Sequence, residues 1–283
     1  MQNCFKFNLH NKMTFFYRLK ELTMLNHITQ ILSKADTKET HVPPTLLYNE
    51  GWMLRLVLNF FATHDMPNHP LSFHGRNNWH SEALLPTQFY ARDRSDKLAE
   101  SWTHADGVYG DFMIGDSAKG DLKLLHDPKV FVVTEAKMFS KLTPHVTNAN
   151  YYNQAARNVA CIAEVLNRAN VEPKSFQKLG FYVLVPKEKY DKEPSFNMFV
   201  SRDHIKEIVL KRVTEYSSQE KVSWYCEKFL PVIDKMDIDV IHWEDIICEI
   251  LKIDILYGKE LQGFYEKCIV YNRIAISFHR PTP

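Results

Sequence analysis

Glycine is scarce in this chain, with nine among 283 residues. A loop that cradles phosphate with backbone amides needs clustered glycines, and no glycine-rich phosphate loop occurs, which argues against a P-loop or dinucleotide-binding site. Cysteine is also sparse. Cys4, Cys161, Cys226, Cys248 and Cys268 lie far apart without a CxxC pair, the pattern of reduced thiols in a cytoplasmic protein rather than a disulfide scaffold. No apolar run approaches the ~18–20 residues of a membrane span, and MQNCFKFNLHNKM at the start lacks the apolar segment of a signal peptide. A soluble protein without a membrane partner is expected. Charge of one sign is missing too: 35 Lys and Arg face 34 Asp and Glu, a net +1, so no basic tail coats nucleic acid wholesale and any positive groove is local. No serine, cysteine or histidine sits in a nucleophile-elbow sequence. His64, His69, His74 and His80 are spaced for neither one helix face nor a zinc site.

What is present is a core. Apolar residues make up 45% and aromatics 13%, enough to bury a sizeable interior. Residues 1–44 read as a short helical segment ending in a polar link and the Pro43-Pro44 pair. LLYNEGWMLRLVLNFFATH then reads as a helix with an apolar stripe at Leu46, Met53, Leu54, Val57 and Phe61. Strands are expected over WHSEALLPTQF (79–89), ADGVYGDFMIG (105–115), DLKLLHDP and VFVVTEAK (130–137). A long alanine-rich helix follows in ANYYNQAARNVACIAEVLNRA, then the strand KLGFYVLVP (178–186). From about residue 203 the pattern turns helical, with one strand candidate at 238–243. The fold class is α/β: a core over 45–202 and a mainly helical extension over 203–283.

The stretch FVVTEAKM carries the chemistry. Its strand is apolar on both faces, as a centrally buried strand should be, yet ends in Glu135 and Lys137. Side chains alternate along a strand, so these two project together. A hard cation such as Mg²⁺ takes one or two carboxylates with water and phosphate oxygens. The preceding strand offers Asp106 and Asp111, which have opposite parity, so a regular strand aims only one of them at Glu135.

An acid on one strand, E-x-K at the end of the next and a glutamine on the following helix resemble the PD-(D/E)xK, restriction-endonuclease-like nuclease superfamily over roughly residues 45–187. The αβββαβ order of the core agrees with that family. The resemblance implies metal-assisted phosphodiester hydrolysis on nucleic acid, DNA ahead of RNA. Asp106 matches the upstream metal-binding acid, with Ala105 where many members have proline and Asp111 the second choice. Glu135 matches the second acid and Lys137 the lysine, and the Ala136 carbonyl completes a ligand set for Mg²⁺ or Mn²⁺. Gln154 matches the helix glutamine, beside Asn150, Arg157 and Asn158. Glu50 matches an acid near the start of the first helix, and an acid on its core-facing stripe is costly unless paired or metal-bound. Glu82 is held in reserve, with Arg76 or Arg92 as its expected salt-bridge partner. Lysines 119, 123, 129 and 141 would lend positive charge. Paired cuts would need a homodimer. The alternative is a catalytically inactive protein of the same fold that binds nucleic acid or serves assembly.

Overall fold

The structure is a computed structural model that describes residues 24–73, 78–115, 120–142 and 149–278. Pro44–Leu46 forms a single 3-10 turn, and the first core helix, α1 (Glu50–Thr63), begins only after it. Asn49, in extended conformation, caps α1 by accepting the Trp52 amide at 2.9 Å, which satisfies one of the unpaired donors at a helix start. Leu46 therefore leaves the expected apolar stripe and is exposed, whereas Met53, Leu54, Val57, Leu58, Phe60 and Phe61 are buried.

Strand β1 (Trp79–Leu85) stops before Pro86, which has no amide to donate to a ladder. The expected strand over 105–115 is two strands, β2 (Thr103–Gly110) and β3 (Phe112–Ile114). Gly110 adopts φ +130°, and a Cβ there would lie 2.1 Å from the Val130 carbonyl oxygen; only glycine makes that corner. β3 pairs with β4 (Leu122–Leu124) in a small ribbon apart from the main sheet. Then come β5 (Val130–Ala136), α2 (Gln154–Ala169), β6 (Lys178–Val185), α3 (Lys187–Lys192), α4 (Ser195–Phe199), α5 (Arg202–Glu215), α6 (Gln219–Trp224) and α7 (Leu230–Lys235). β7 (Asp237–His242), α8 (Trp243–Ile253) and α9 (Ile255–Phe278) complete the described chain.

The central sheet has five strands in the order β1-β2-β5-β6-β7. β1 pairs antiparallel with β2 and β2 antiparallel with β5, while β5, β6 and β7 are mutually parallel, so the sheet is mixed. All seven residues of β5 are buried, because helices cover both faces. α2 and α5–α7 pack on one face; α1, α8 and α9 pack on the other. The protein is thus α/β with helices flanking the sheet and a helical C-terminal portion that also supplies the edge strand β7. Among the described residues no helix is long and apolar enough to cross a membrane.

Candidate active site at the end of the central strand

Register settles which aspartate meets Glu135. β2 and β5 pair Gly107 with Thr134 and Val108 with Val133; one step further sets Asp106 opposite Glu135, on the same face of the sheet. Asp106 Oδ2 accepts the Ala136 amide at 2.7 Å, tying the two strands at that point. Asp106 sits within β2 rather than at its start. Asp111 is corrected to a structural residue. Its Oδ2 accepts the amides of Lys129 (2.7 Å) and Val130 (2.9 Å), at the other end of β5 and about 16 Å from Glu135 at the usual strand rise.

Glu135 and Lys137 project together as their spacing requires. Glu135 is 2% exposed and Lys137 6%; Lys137 Nζ donates to Glu135 Oε1, and Asn158 Nδ2 donates to Glu135 Oε2 at 2.9 Å. The Lys137 backbone is held from two sides: its amide donates to Leu184 O at 2.8 Å and its carbonyl accepts Trp243 Nε1 at 2.9 Å. Burial alone would lower the Lys137 pKa, but the carboxylates of Glu135, Asp106 and Glu50 outweigh it and raise the ammonium's pKa. The opposite holds for Asp106. Burial first, then the neighbouring Glu135 charge, push its carboxyl well above the usual carboxylate range, and Lys137 offsets only part of this. The site is short of positive charge.

Glu50, first residue of α1, is partly buried and acts on Lys137 through its charge. Gln154 begins α2, its Oε1 buried without a hydrogen-bond partner. The helix residue that touches Glu135 is Asn158, one turn further on, and its Oδ1 is likewise buried and unpartnered. Asn158 was legible only as a member of the polar patch; its i+4 spacing from Gln154 on an alanine-rich helix was the available signal. Glu82 lies at the rim with a half-exposed side chain, 3.8 Å from Arg55 and 4.0 Å from His104. Of its expected partners, Arg92 pairs with Asp96, and Arg76 lies outside the described residues. Of the four lysines, Lys129 binds Asp127 at the far end of β5, Lys123 is exposed on β4, Lys141 is exposed just past β5, and Lys119 lies outside the described residues.

Among the described residues no group of three or more His, Cys, Asp and Glu side chains could hold a metal ion, so a zinc-type cage of protein ligands does not form there. Two facing carboxylates without sulfur or imidazole are a hard-oxygen donor set. They suit Mg²⁺ or Mn²⁺, which keep water and phosphate oxygens in the remaining positions. The raised Asp106 pKa fits the same chemistry, since a cation beside it would favour the ionised carboxylate. A scan against protein-family models, a search of curated proteins and a search of solved structures each returned no match.

Proposed function

We propose that the protein is a divalent-metal-dependent nuclease with a restriction-endonuclease-like core, hydrolysing phosphodiester bonds in nucleic acid, with DNA as the first substrate to test. The observation that carries this reading is the hydrogen bond from the Ala136 amide to Asp106, which sets that carboxylate beside the Glu135–Lys137 pair at the end of a fully buried strand. Crevices at the carboxyl ends of parallel strands are where open α/β sheets bind ligands. Asp106, Glu135 and the Ala136 carbonyl would hold Mg²⁺ or Mn²⁺; the cation would supply an activated water and stabilise charge on the phosphate.

The chain's own groups do the positioning. The Ala136 amide orients Asp106, and Asn158 orients Glu135, so both carboxylates are preorganised by fixed donors. Lys137 brings a point charge of the kind that meets phosphate. Glu135 and Asp106, with a smaller contribution from Glu50, favour the protonated form of that lysine against its burial. The direct Lys137–Glu135 ion pair also supports a second reading, binding without cleavage, because each charge is already satisfied by the other.

Purified protein incubated with linear, circular and single-stranded DNA and with RNA, in Mg²⁺ or Mn²⁺, tests both. Wild type should give metal-dependent products that Glu135→Ala and Lys137→Ala, each checked for folding, do not. Salt-sensitive binding with no cleavage in any metal would favour the second reading. Equal Mg²⁺ binding by wild type and folded Glu135→Ala would sink the site.

A further inference from the structure

A cavity of about 340 Å³ lies between β4 and the C-terminal half of α2, bounded by Pro86, Trp102, Asp121, Lys123, Val165 and Arg168. Trp102 is 38% exposed there, whereas Trp224 and Trp243 are buried. Its ring meets Tyr90 edge to face, with centroids 5.9 Å apart. The Arg168 guanidinium stands over both rings, 5.3 Å from Tyr90 and 6.0 Å from Trp102. This group is braced from below. Arg168 Nε donates to Glu164 Oε1 at 2.8 Å, and Glu164, 5% exposed, also accepts from Gln88 at 3.3 Å and Asn167 at 3.1 Å. Trp102 is set in place by its neighbours: the Ser101 carbonyl accepts Arg157 Nη2 at 3.2 Å, and Thr103 starts β2.

An exposed indole with an apolar floor, two cations (Lys123 and the Glu164-paired Arg168) and one carboxylate (Asp121) beside it suits a flat aromatic ring that bears both hydrogen-bond donors and an anion. Base–aromatic stacking with phosphate neutralised nearby has that chemistry. The cavity is also within reach of the carboxylates. Trp102 precedes Asp106 by four strand residues, about 13 Å, and Arg168 follows Asn158 by ten helix residues, about 15 Å. We propose that the cavity takes one unpaired base of a single-stranded nucleic acid, stacked on Trp102, with the adjoining phosphate near Lys123 and Arg168. This rests on the nuclease reading and deepens it: the substrate presents a single strand or a frayed end, because both faces of a base within a duplex are covered by its neighbours.

Binding of a labelled single-stranded DNA, the same sequence as duplex and free nucleoside monophosphates would be measured in EDTA at one fixed salt concentration. Wild type, Trp102→Ala and Trp102→Phe would be compared after confirming that each melts like wild type. Trp102→Ala should weaken single-strand binding by roughly 30-fold, the middle of the stacking range. Trp102→Phe should recover most of it, and duplex binding should not move. Unchanged single-strand affinity in Trp102→Ala, or an equal loss for duplex, would overturn the proposal. Nucleoside monophosphates that bind as tightly as the strand would replace it with a free-nucleotide site. If Trp102→Ala binds normally while Glu135→Ala abolishes metal-dependent cleavage, only the base cavity falls; if wild type neither binds nor cleaves any nucleic acid, both readings fall.

Discussion

Arg212 offers the sharpest test of how the C-terminal helices are joined to the core. It lies on α5 with no exposed surface, yet carries a full charge. Its Nε donates to Glu100 Oε1 at 3.0 Å and its Nη1 to Glu215 Oε2 at 3.2 Å, while Nη2 donates to the Leu98 carbonyl. The guanidinium also packs over Phe89, Tyr152 and Tyr216 at 5.2–5.7 Å. Arg212→Met keeps much of the volume but leaves Glu100 buried with only Arg157 at 3.6 Å and the Thr87 hydroxyl at 3.3 Å. Breaking a buried ion pair from one side costs about 3–5 kcal/mol, here a fall in Tm on the order of 10 °C. The deficit should depend on pH. Burial already raises the Glu100 pKa above its ordinary value, against the pull of Arg212 and Arg157. A carboxyl with a raised folded pKa contributes stability that is complete below its unfolded pKa and lost as pH rises through the folded one. Losing Arg212 raises that pKa further, so the deficit widens from about pH 5 to about pH 8. Urea unfolding at both pH values measures it, and Glu100→Gln in the same background should return part of the loss. A deficit under about 1 kcal/mol, the worth of an exposed pair, or one equal at both pH values, would refute the reasoning. So would a split transition in which only one half shifts, since Arg212 spans both parts.

Three more outcomes follow from the site. Asp106→Asn should stabilise the metal-free protein at neutral pH, because burial and the Glu135 charge raise the Asp106 carboxyl well above its ordinary value, and the gain should vanish below the unfolded carboxylate pKa; thermal melts across pH read it, and added Mg²⁺ should raise the Tm of wild type alone. Asn158→Ala should weaken Mg²⁺ binding about 10-fold while leaving the fold intact, as loss of an orienting partner does at metal sites; a metal titration with a melt control checks this. Gly107→Ala should cost about 1–3 kcal/mol by overpacking, because its Cβ would lie 2.6 Å from Thr134 Oγ1 and 2.9 Å from methyls of Leu54 and Leu58; chemical unfolding gives the number.

What the sequence disclosed and what it withheld divide along a physical line. Local patterns were legible: a strand apolar on both faces at 130–136 is buried on both faces, and the alternation that joins Glu135 to Lys137 is seen in their ion pair. Parity could not choose between Asp106 and Asp111, because the answer depends on how β2 registers against β5 and on the break at Gly110, where a strand read as continuous turns out of the sheet. Asn158 was hidden for a related reason. Helix spacing puts it on one face with Gln154, but only the crossing of α2 over the sheet decides which of the two reaches Glu135.

The contribution of the C-terminal segment lay furthest from view, and it bears most on the site. IDVIHW read as an isolated strand candidate, yet β7 pairs with β6 through six residues in parallel register. At its end Trp243 turns inward, fully buried, and its indole nitrogen donates to the Lys137 carbonyl across 106 positions of sequence. That bond fixes the backbone of the residue whose ammonium sits on Glu135. A chain cut before β7 would leave the parallel edge of β6 unpaired and the Lys137 carbonyl without its donor. Such a truncation should therefore lose Mg²⁺ binding together with stability, whereas an appendage merely attached to a finished core could be removed with the site intact.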